Sequence, residues 1–428
     1  MGSTAIVAAL VALSTVWQTL SDVQIAKQDE AFEQWWGTEF SWTFSELPAQ
    51  GSVPKYRLPY SGYIYPDTAG GTINALRKYD RAFNGRRYAA ARHEAWDTTA
   101  FQEPVPRSGG LGLFGRRFGG GFRSPRMATP HWHGHCNGWA AATIRHAQPQ
   151  QSVVRNGVTF TPADIKGLLA ELYIYNEMNV LAGSDTYMSA ATLHTIVTNW
   201  IGRGAHPIAM EADPGKEKWN YPIYAYATTS GRISDRQVEV KMNLAYAKDS
   251  RGEFQESPLY KSTKYFHYYL NVDEDDRITG GSFYRDSSRI DMLWIPLSPK
   301  ASGQPGHERG NPYIRVNEIL SLWRDSVPEE TRKQWLVIDQ PKADRVYDLA
   351  DEIASLVPLQ EFPIAAQAPA PSAEAEDAES EPSTDAVAEE ATTETEAARA
   401  DATDAEPSSD AEAAAETEAT PSATGVGE

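Results

Sequence analysis

The chain has one cysteine, Cys136, in the segment His131-Trp-His-Gly-His-Cys-Asn-Gly-Trp-Ala-Ala-Ala-Thr143. The alanines that follow it read as the first turns of a helix. A thiol at that position meets unpaired backbone N–H groups and the positive end of the helix dipole, which favour the thiolate, the form that attacks carbonyls. Three histidines within five residues upstream add positive charge. The residues therefore suit nucleophilic acyl chemistry at Cys136.

Such a nucleophile needs a base, and the base needs a third group to fix its tautomer. His206 is the best-placed candidate base, because it opens the β-rich segment Ala205-His-Pro-Ile-Ala-Met-Glu-Ala-Asp213 about seventy residues after the thiol. His93, His194, His267 and His307 lack such a strand-turn-strand setting. Asn220 and Asp213 both qualify as the orienting group. Asp213 lies roughly 23 Å from His206 if the chain stays extended. A tight turn at Asp213-Pro-Gly215 sets residues near Ile223 opposite His206, so Asn220 reaches the ring only through a bulge or wide loop, which Pro222 makes reasonable. Asn220 ranks above Asp213.

Two rival readings use the same residues. On an extended segment His131, His133 and His135 share one face and suit zinc or copper, with Cys136 as a fourth ligand. The thiol also fits a buried structural role. No distant ligand cluster supports a metal, and none is assigned. Asp273-Glu-Asp-Asp276 has the oxygen chemistry of a calcium site but not a full calcium loop, and an exposed acidic turn accounts for it better. The glycine-rich Gly109 to Gly121, with Arg116 and Arg117 inside it, lacks the ending of a phosphate loop and reads as a loop near the site entrance.

The elements that position these residues follow from periodicity. Asp22 to Trp42 and Thr72 to Arg92 read as helical, with an extended covering segment at Ser52 to Pro66. The Cys136 helix runs to about His146, and Asn156 to Phe160 forms a short strand. Thr161-Pro-Ala-Asp164 starts a further helix with Thr as N-cap and Pro at its first position. Another helix spans Tyr187 to Ile201. Strands follow at 206–212, 219–226, 237–246, 265–272 and 278–284, then helices at 316–323 and 343–357. Helix with nucleophile first and sheet later is α+β order, a nucleophile on a helix N-terminus packed on an antiparallel sheet.

Composition assigns the charge. Residues 371–428 hold 18 acidic residues and one basic residue, so −17 of the chain's −19 belongs to this stretch, which has no aromatic residue. Such a segment has too little apolar surface to offset the entropy of ordering. The remainder is nearly neutral, which gives no footprint for nucleic acid. A single cysteine excludes an intramolecular disulfide. Thr4 to Trp17 is apolar, resembles the core of a signal peptide without its basic leader, and points to a secreted or cell-envelope protein with no firm membrane partner. The expected divisions are 1–20 apolar, 21–126 helical and covering, 127–300 catalytic core, 301–360 helical, and 361–428 the acidic tail.

Gly134-His-Cys-Asn-Gly-Trp-Ala-Ala141, the stretch His206 to Tyr226 with Trp219-Asn-Tyr-Pro-Ile223 at its centre, and Gly280-Gly-Ser-Phe with Asp291-Met-Leu-Trp294 together resemble the elicitor-type transglutaminases of oomycetes and marine bacteria. The resemblance covers about 127–296 and implies a papain-like core, with Cys136 as nucleophile and His206 as base. It implies protein substrates, a glutamine donor and a lysine or other amine acceptor, joined through a thioester. Trp139, Trp219 and Trp132 become candidate walls that exclude water. No cofactor is required, and calcium is the one the family brings into question. Tyr221 and Ala225 depart from the family's plant-perceived peptide. A papain-like protease or glutamine amidase uses the same groups, and a non-catalytic binding protein keeps the same core.

Overall fold

The computed structural model describes residues 18–19, 22–85, 87–104, 127–183, 188–213, 215–285, 287, 290–299 and 310–336. The apolar N-terminal stretch before residue 18, the glycine-rich stretch 109–121, the expected helix 343–357 and the acidic tail lie outside the described residues.

The chain begins with strand β1 (Gln18–Thr19), helix α1 (Asp22–Trp36) and strand β2 (Gln50–Ser52). Helices α2 (Ile73–Phe83) and α3 (Ala89–Ala100) follow, separated by a turn inside the single helix expected there. Tyr88, at the head of α3, sits in the left-handed region and makes the break. Two short pairs, β3 (Glu103–Pro104) with β4 (Met127–Ala128) and β5 (Val153–Arg155) with β6 (Val158–Phe160), flank α4 (Cys136–Arg145). Next come α5 (Pro162–Tyr173), β7 (Asn176–Gly183), α6 (Ala190–Val197) and a π-helical turn over Thr198–Arg203. Strands β8 (Ile208–Glu211), β9 (Asn220–Ser234), β10 (Gln237–Ala247), β11 (Lys261–Val272), β12 (Ile278–Phe283) and β13 (Met292–Pro299) precede α7 (Val316–Ser326) and α8 (Glu329–Leu336).

The main sheet is antiparallel at every pairing, in the order β1-β12-β11-β10-β9-β8-β13-β7, with β2 added to β9 beyond the end of β8. Its two halves differ physically. Along β10, Val238, Val240, Met242 and Leu244 are buried while Lys241 and Asn243 are exposed, the alternation of a sheet with one wet face. All four residues of β8 are buried. Ile208 and Met210 join the core under α1 and α6, and Ala209 points the other way with Trp294 into the core of α2, α3, α4, α5 and α7. Among the described residues, helices thus pack on both faces of the sheet around β8 and β13. The fold is α+β, with the Cys136 helix packed on an antiparallel sheet and helices preceding it, as the sequence implies.

Helix α5 anchors the helical layer. Thr161 accepts from the backbone N–H of Asp164, the Asp164 carboxylate accepts from the Thr161 N–H, and Pro162 occupies the first turn, so the start is fixed by a capping box. All twelve of its residues are buried. Burial of Ile165, Leu168 and Leu169 contributes roughly 1.5–3 kcal/mol each. Helix α4 lies so close to α5 that a Cβ added at Gly138 would stand 2.1 Å from the Ala170 carbonyl oxygen. Backbone cannot yield as a flexible side chain does. Gly138→Ala is therefore expected to destabilise the protein by about 2 kcal/mol or more, read as a lower denaturation midpoint; an unchanged midpoint would show that the two helices separate freely.

Candidate active site

Cys136 is the first residue of α4, and the Ala140 to Ala142 run behind it is buried, so the helix presents its head to a cleft and its body to the core. The cleft has a volume of about 370 Å³, and Trp132, His133, Cys136, Glu211, Lys218, Asn220 and Trp294 line it together with Asp67 and Asp97. The thiol is 6% exposed. It donates to the Lys218 carbonyl oxygen at 3.4 Å, and the Asn220 Nδ2 donates to Sγ at 3.9 Å. Trp294 Nε1 donates to Asn220 Oδ1 at 3.0 Å, which fixes the amide with its N–H₂ toward sulfur. Burial pushes the thiol pKa up, against the pull of the Asn220 amide and of the backbone N–H groups of Asn220 and Asn137. The resting group is a thiol, poised by donors that stabilise it once ionised.

Register explains the meeting. Strand β8 pairs with β9 so that Glu211 faces Asn220 and Ile208 faces Ile223. This is two residues away from the tight-hairpin register expected, and it brings Asn220 to the thiol without a bulge.

His206 goes elsewhere. Its ring is fully buried, 5.0 Å from Trp35, 5.9 Å from Trp36 and 6.3 Å from Trp200 between centroids, and Nε2 lies 3.3 Å from Arg57 Nη2. Glu211 is the end of β8 at the cleft, and His206 precedes it by five residues, about 16 Å of extended chain. Burial first, and then the nearby Arg57 and Arg145, hold the imidazole well below its ordinary pKa, so it stays neutral. The expectation of a Cys136 and His206 pair is corrected: the π-helical turn ahead of β8 folds His206 beneath α1. His206→Gln is expected to lower the denaturation midpoint by about 2 kcal/mol. Any catalytic parameter of the folded fraction should stay within about threefold, and a selective loss of turnover at unchanged stability would restore it to the chemistry.

Asp213 is likewise apart. Its carboxylate is 55% exposed and pairs with Lys264 at 3.3 Å. Of the three expected aromatic walls, Trp132 lines the cleft. Trp139 is buried behind α4, where its indole donates to the Tyr60 carbonyl at 3.2 Å, and the Trp219 indole donates to Glu217 at 3.1 Å. Neither lines the cleft. Trp294 and Glu211 do line it, neither of them among the expected site residues. A glutamate inside the otherwise apolar Ile-Ala-Met-Glu211 strand was the available signal.

The histidine alternation does not assemble. His131 is an exposed partner of Glu217 at 3.5 Å, His133 packs on Trp132 in the cleft, and His135 is buried. His135 Nε2 lies 2.9 Å from Glu171 Oε2 and 3.5 Å from Glu94 Oε1. The three ligand-type atoms lie within 4.8 Å of one another, a spacing that would admit a cation. Their donors are already supplied by protein: Thr72 N–H donates to Glu94 Oε1 at 2.9 Å, Thr72 Oγ1 to Glu171 Oε2 at 2.6 Å, and Asn311 Nδ2 to Glu171 Oε1 at 3.0 Å. This is a hydrogen-bond network that seats the residue preceding the thiol through its Nε2, while its buried Nδ1 has no hydrogen-bond partner. Around the acidic turn, Asp273 accepts from the N–H groups of Asp275 and Arg277, Glu274 pairs with Arg236, and Asp276 pairs with Arg232. Its carboxylates organise a hairpin.

A buried cysteine heading a helix, met by a tryptophan-braced amide from the facing strand, defines a thiol site in an α+β fold. Residues 123–188 match the transglutaminase elicitor family. The crystal structure of the GP42 transglutaminase from Phytophthora sojae has a similar fold, with a TM-score of 0.55 and 21% identity over 72% of this chain and 99% of that one. No curated protein sequence matches the chain. The family match and the shared fold together support the elicitor-type transglutaminase family. Among the described residues, no helix is long and apolar enough to cross a membrane.

Proposed function

We propose that the protein is a transglutaminase-type acyltransferase that moves the acyl group of a protein glutamine side chain to a primary amine through a thioester on Cys136. The observation that carries this reading is the Sγ of Cys136 in the cleft beside the Asn220 amide, which Trp294 holds in place. The sulfur attacks the carboxamide carbon, the C–N bond breaks, and the thiol proton leaves with the nitrogen as ammonia. An amine then attacks the thioester, the C–S bond breaks, and the thiol is regenerated with an isopeptide as product.

Each group of the cleft has a part in that sequence. The first-turn N–H groups of α4 and the Asn220 amide stabilise negative charge on sulfur and on the carbonyl oxygen. The aromatic faces of Trp132 and Trp294 limit water at the thioester, so that an amine competes with hydrolysis. His133 is the histidine that lines the cleft, and with His206 removed from the chemistry it becomes the imidazole available to carry the proton.

The test incubates the protein with a glutamine-rich protein and a labelled primary amine, with and without calcium, and follows ammonia release and label incorporation. Both products support the reading. Ammonia without label would replace it with an amidase that lets water resolve the same thioester, and neither product would remove the enzyme reading.

A further inference from the structure

Beside the thiol, the cleft holds a second charged arrangement. Lys218 Nζ lies 2.8 Å from Glu211 Oε1 and 3.2 Å from Asp291 Oδ2. Glu211 is 5% exposed and Asp291 fully buried, whereas the Lys218 side chain is 27% exposed. Glu211 and Lys218 both line the cleft, and the Lys218 carbonyl is the acceptor of the Cys136 thiol. An alkylammonium is thus already seated between two buried carboxylates next to the nucleophile. Those carboxylates raise the Lys218 pKa even though burial of the ammonium works against it.

We propose that Glu211 forms the acceptor-amine subsite of this cleft, and that the Lys218 ammonium marks the position at which the substrate's alkylammonium is held. The inference rests on the acyl-transfer reading and adds its second substrate. An entering ammonium takes Glu211 while Lys218 keeps Asp291, so each cation retains a buried carboxylate partner. The carboxylate has a further use. The acceptor arrives as R–NH₃⁺ and must lose a proton before its lone pair attacks; Glu211 accepts that proton, the N–C bond forms as the C–S bond breaks, and a proton returns to the sulfur. Placement explains why an acid belongs in this strand: the register that sets Asn220 beside Cys136 sets Glu211 directly across from Asn220.

The test compares two acceptors on the same thioester. A labelled alkylamine is cationic at neutral pH, and hydroxylamine is neutral and needs no carboxylate to hold or deprotonate it. Glu211→Gln is expected to lower kcat/KM for the alkylamine at least tenfold more than for hydroxylamine, chiefly through KM. Lys218→Gln, which removes the resident ammonium, is expected to lower KM for the alkylamine. The ratio of the two acceptors is internal to one protein sample, so partial misfolding does not affect it. Equal losses for both acceptors in Glu211→Gln would overturn the subsite while leaving acyl transfer intact. Failure of the unaltered protein to form hydroxamate at all would instead sink acyl transfer itself.

Discussion

Cys136→Ala is expected to reduce amine incorporation and ammonia release together, by about 10⁴-fold or more, because no other group in the cleft can form the thioester. The same substitution is expected to leave the fold nearly untouched. The sulfur makes two long polar contacts, to the Lys218 carbonyl and the Asn220 amide, and Trp294 still holds the Asn220 amide when the sulfur is removed. The denaturation midpoint should therefore change by less than about 1 kcal/mol. Cys136→Ser should behave alike in activity, since an alcohol ionises far less readily than a thiol and cannot form the thioester. Amine incorporation that persists in either variant at more than a few per cent would remove Cys136 as the nucleophile.

The second large effect concerns the residues that seat His135. Burial disfavours a cationic ring there, but Glu94 and Glu171 outweigh it and raise the His135 pKa to about 10. Burial and the neighbouring Glu171 push Glu94 up to about 8, so at neutral pH it is protonated. Glu171 stays ionised despite its burial, because His135, Thr72 and Asn311 all donate to it. The two carboxyls should answer the same substitution differently. Glu94→Gln replaces a neutral acid by a neutral amide that still accepts from Thr72, at a cost under about 1 kcal/mol. Glu171→Gln leaves a buried imidazolium without its partner, at a cost of about 3–5 kcal/mol.

The pH dependence follows with its sign. Both Glu94 and His135 have folded-state pKa values raised above their unfolded ones, so their stabilisation is fully present below the unfolded values and is lost as pH rises through the folded ones. Thermal midpoints should fall as pH rises from 4.5 to about 8 through Glu94 and from 6.5 to about 10 through His135, and Glu94→Gln should flatten the lower part of that fall. A flat profile across these intervals, or equal effects of the two glutamine variants, would contradict the proton assignment.

Local chemistry made much of the fold legible. Thr161-Pro-Ala-Asp164 announced α5 because a capping box is a contact among four neighbouring residues, and Val238 to Leu244 announced β10 because one face is wet. Strand β13 escaped for the opposite reason. In β13, Leu293, Trp294, Ile295 and Pro296 are all buried, so no alternation exists, and two prolines disguise the strand. The pairing of Cys136 with Asn220 was not recoverable from spacing. It depends on a hairpin register two residues away from the tight-turn case. His206 misled because a histidine before a strand looks the same whether it faces a thiol or three tryptophans; only the π-helical turn, a tertiary adjustment, decides between them.

The bracing of Asn220 by Trp294 also bears on synthesis. Residue 136 is made early, but the indole that orients its partner amide comes from β13, which is inserted between β8 and β7. On a growing chain, β8 has no β13 edge to pair with, and Trp294 cannot cross into the helical core until about 160 further residues have been added after the cysteine. The nascent polypeptide therefore carries the sulfur through about 160 residues of elongation without the amide geometry on which its proposed role depends. Competence arrives late and in one step, with the strand that closes the sheet.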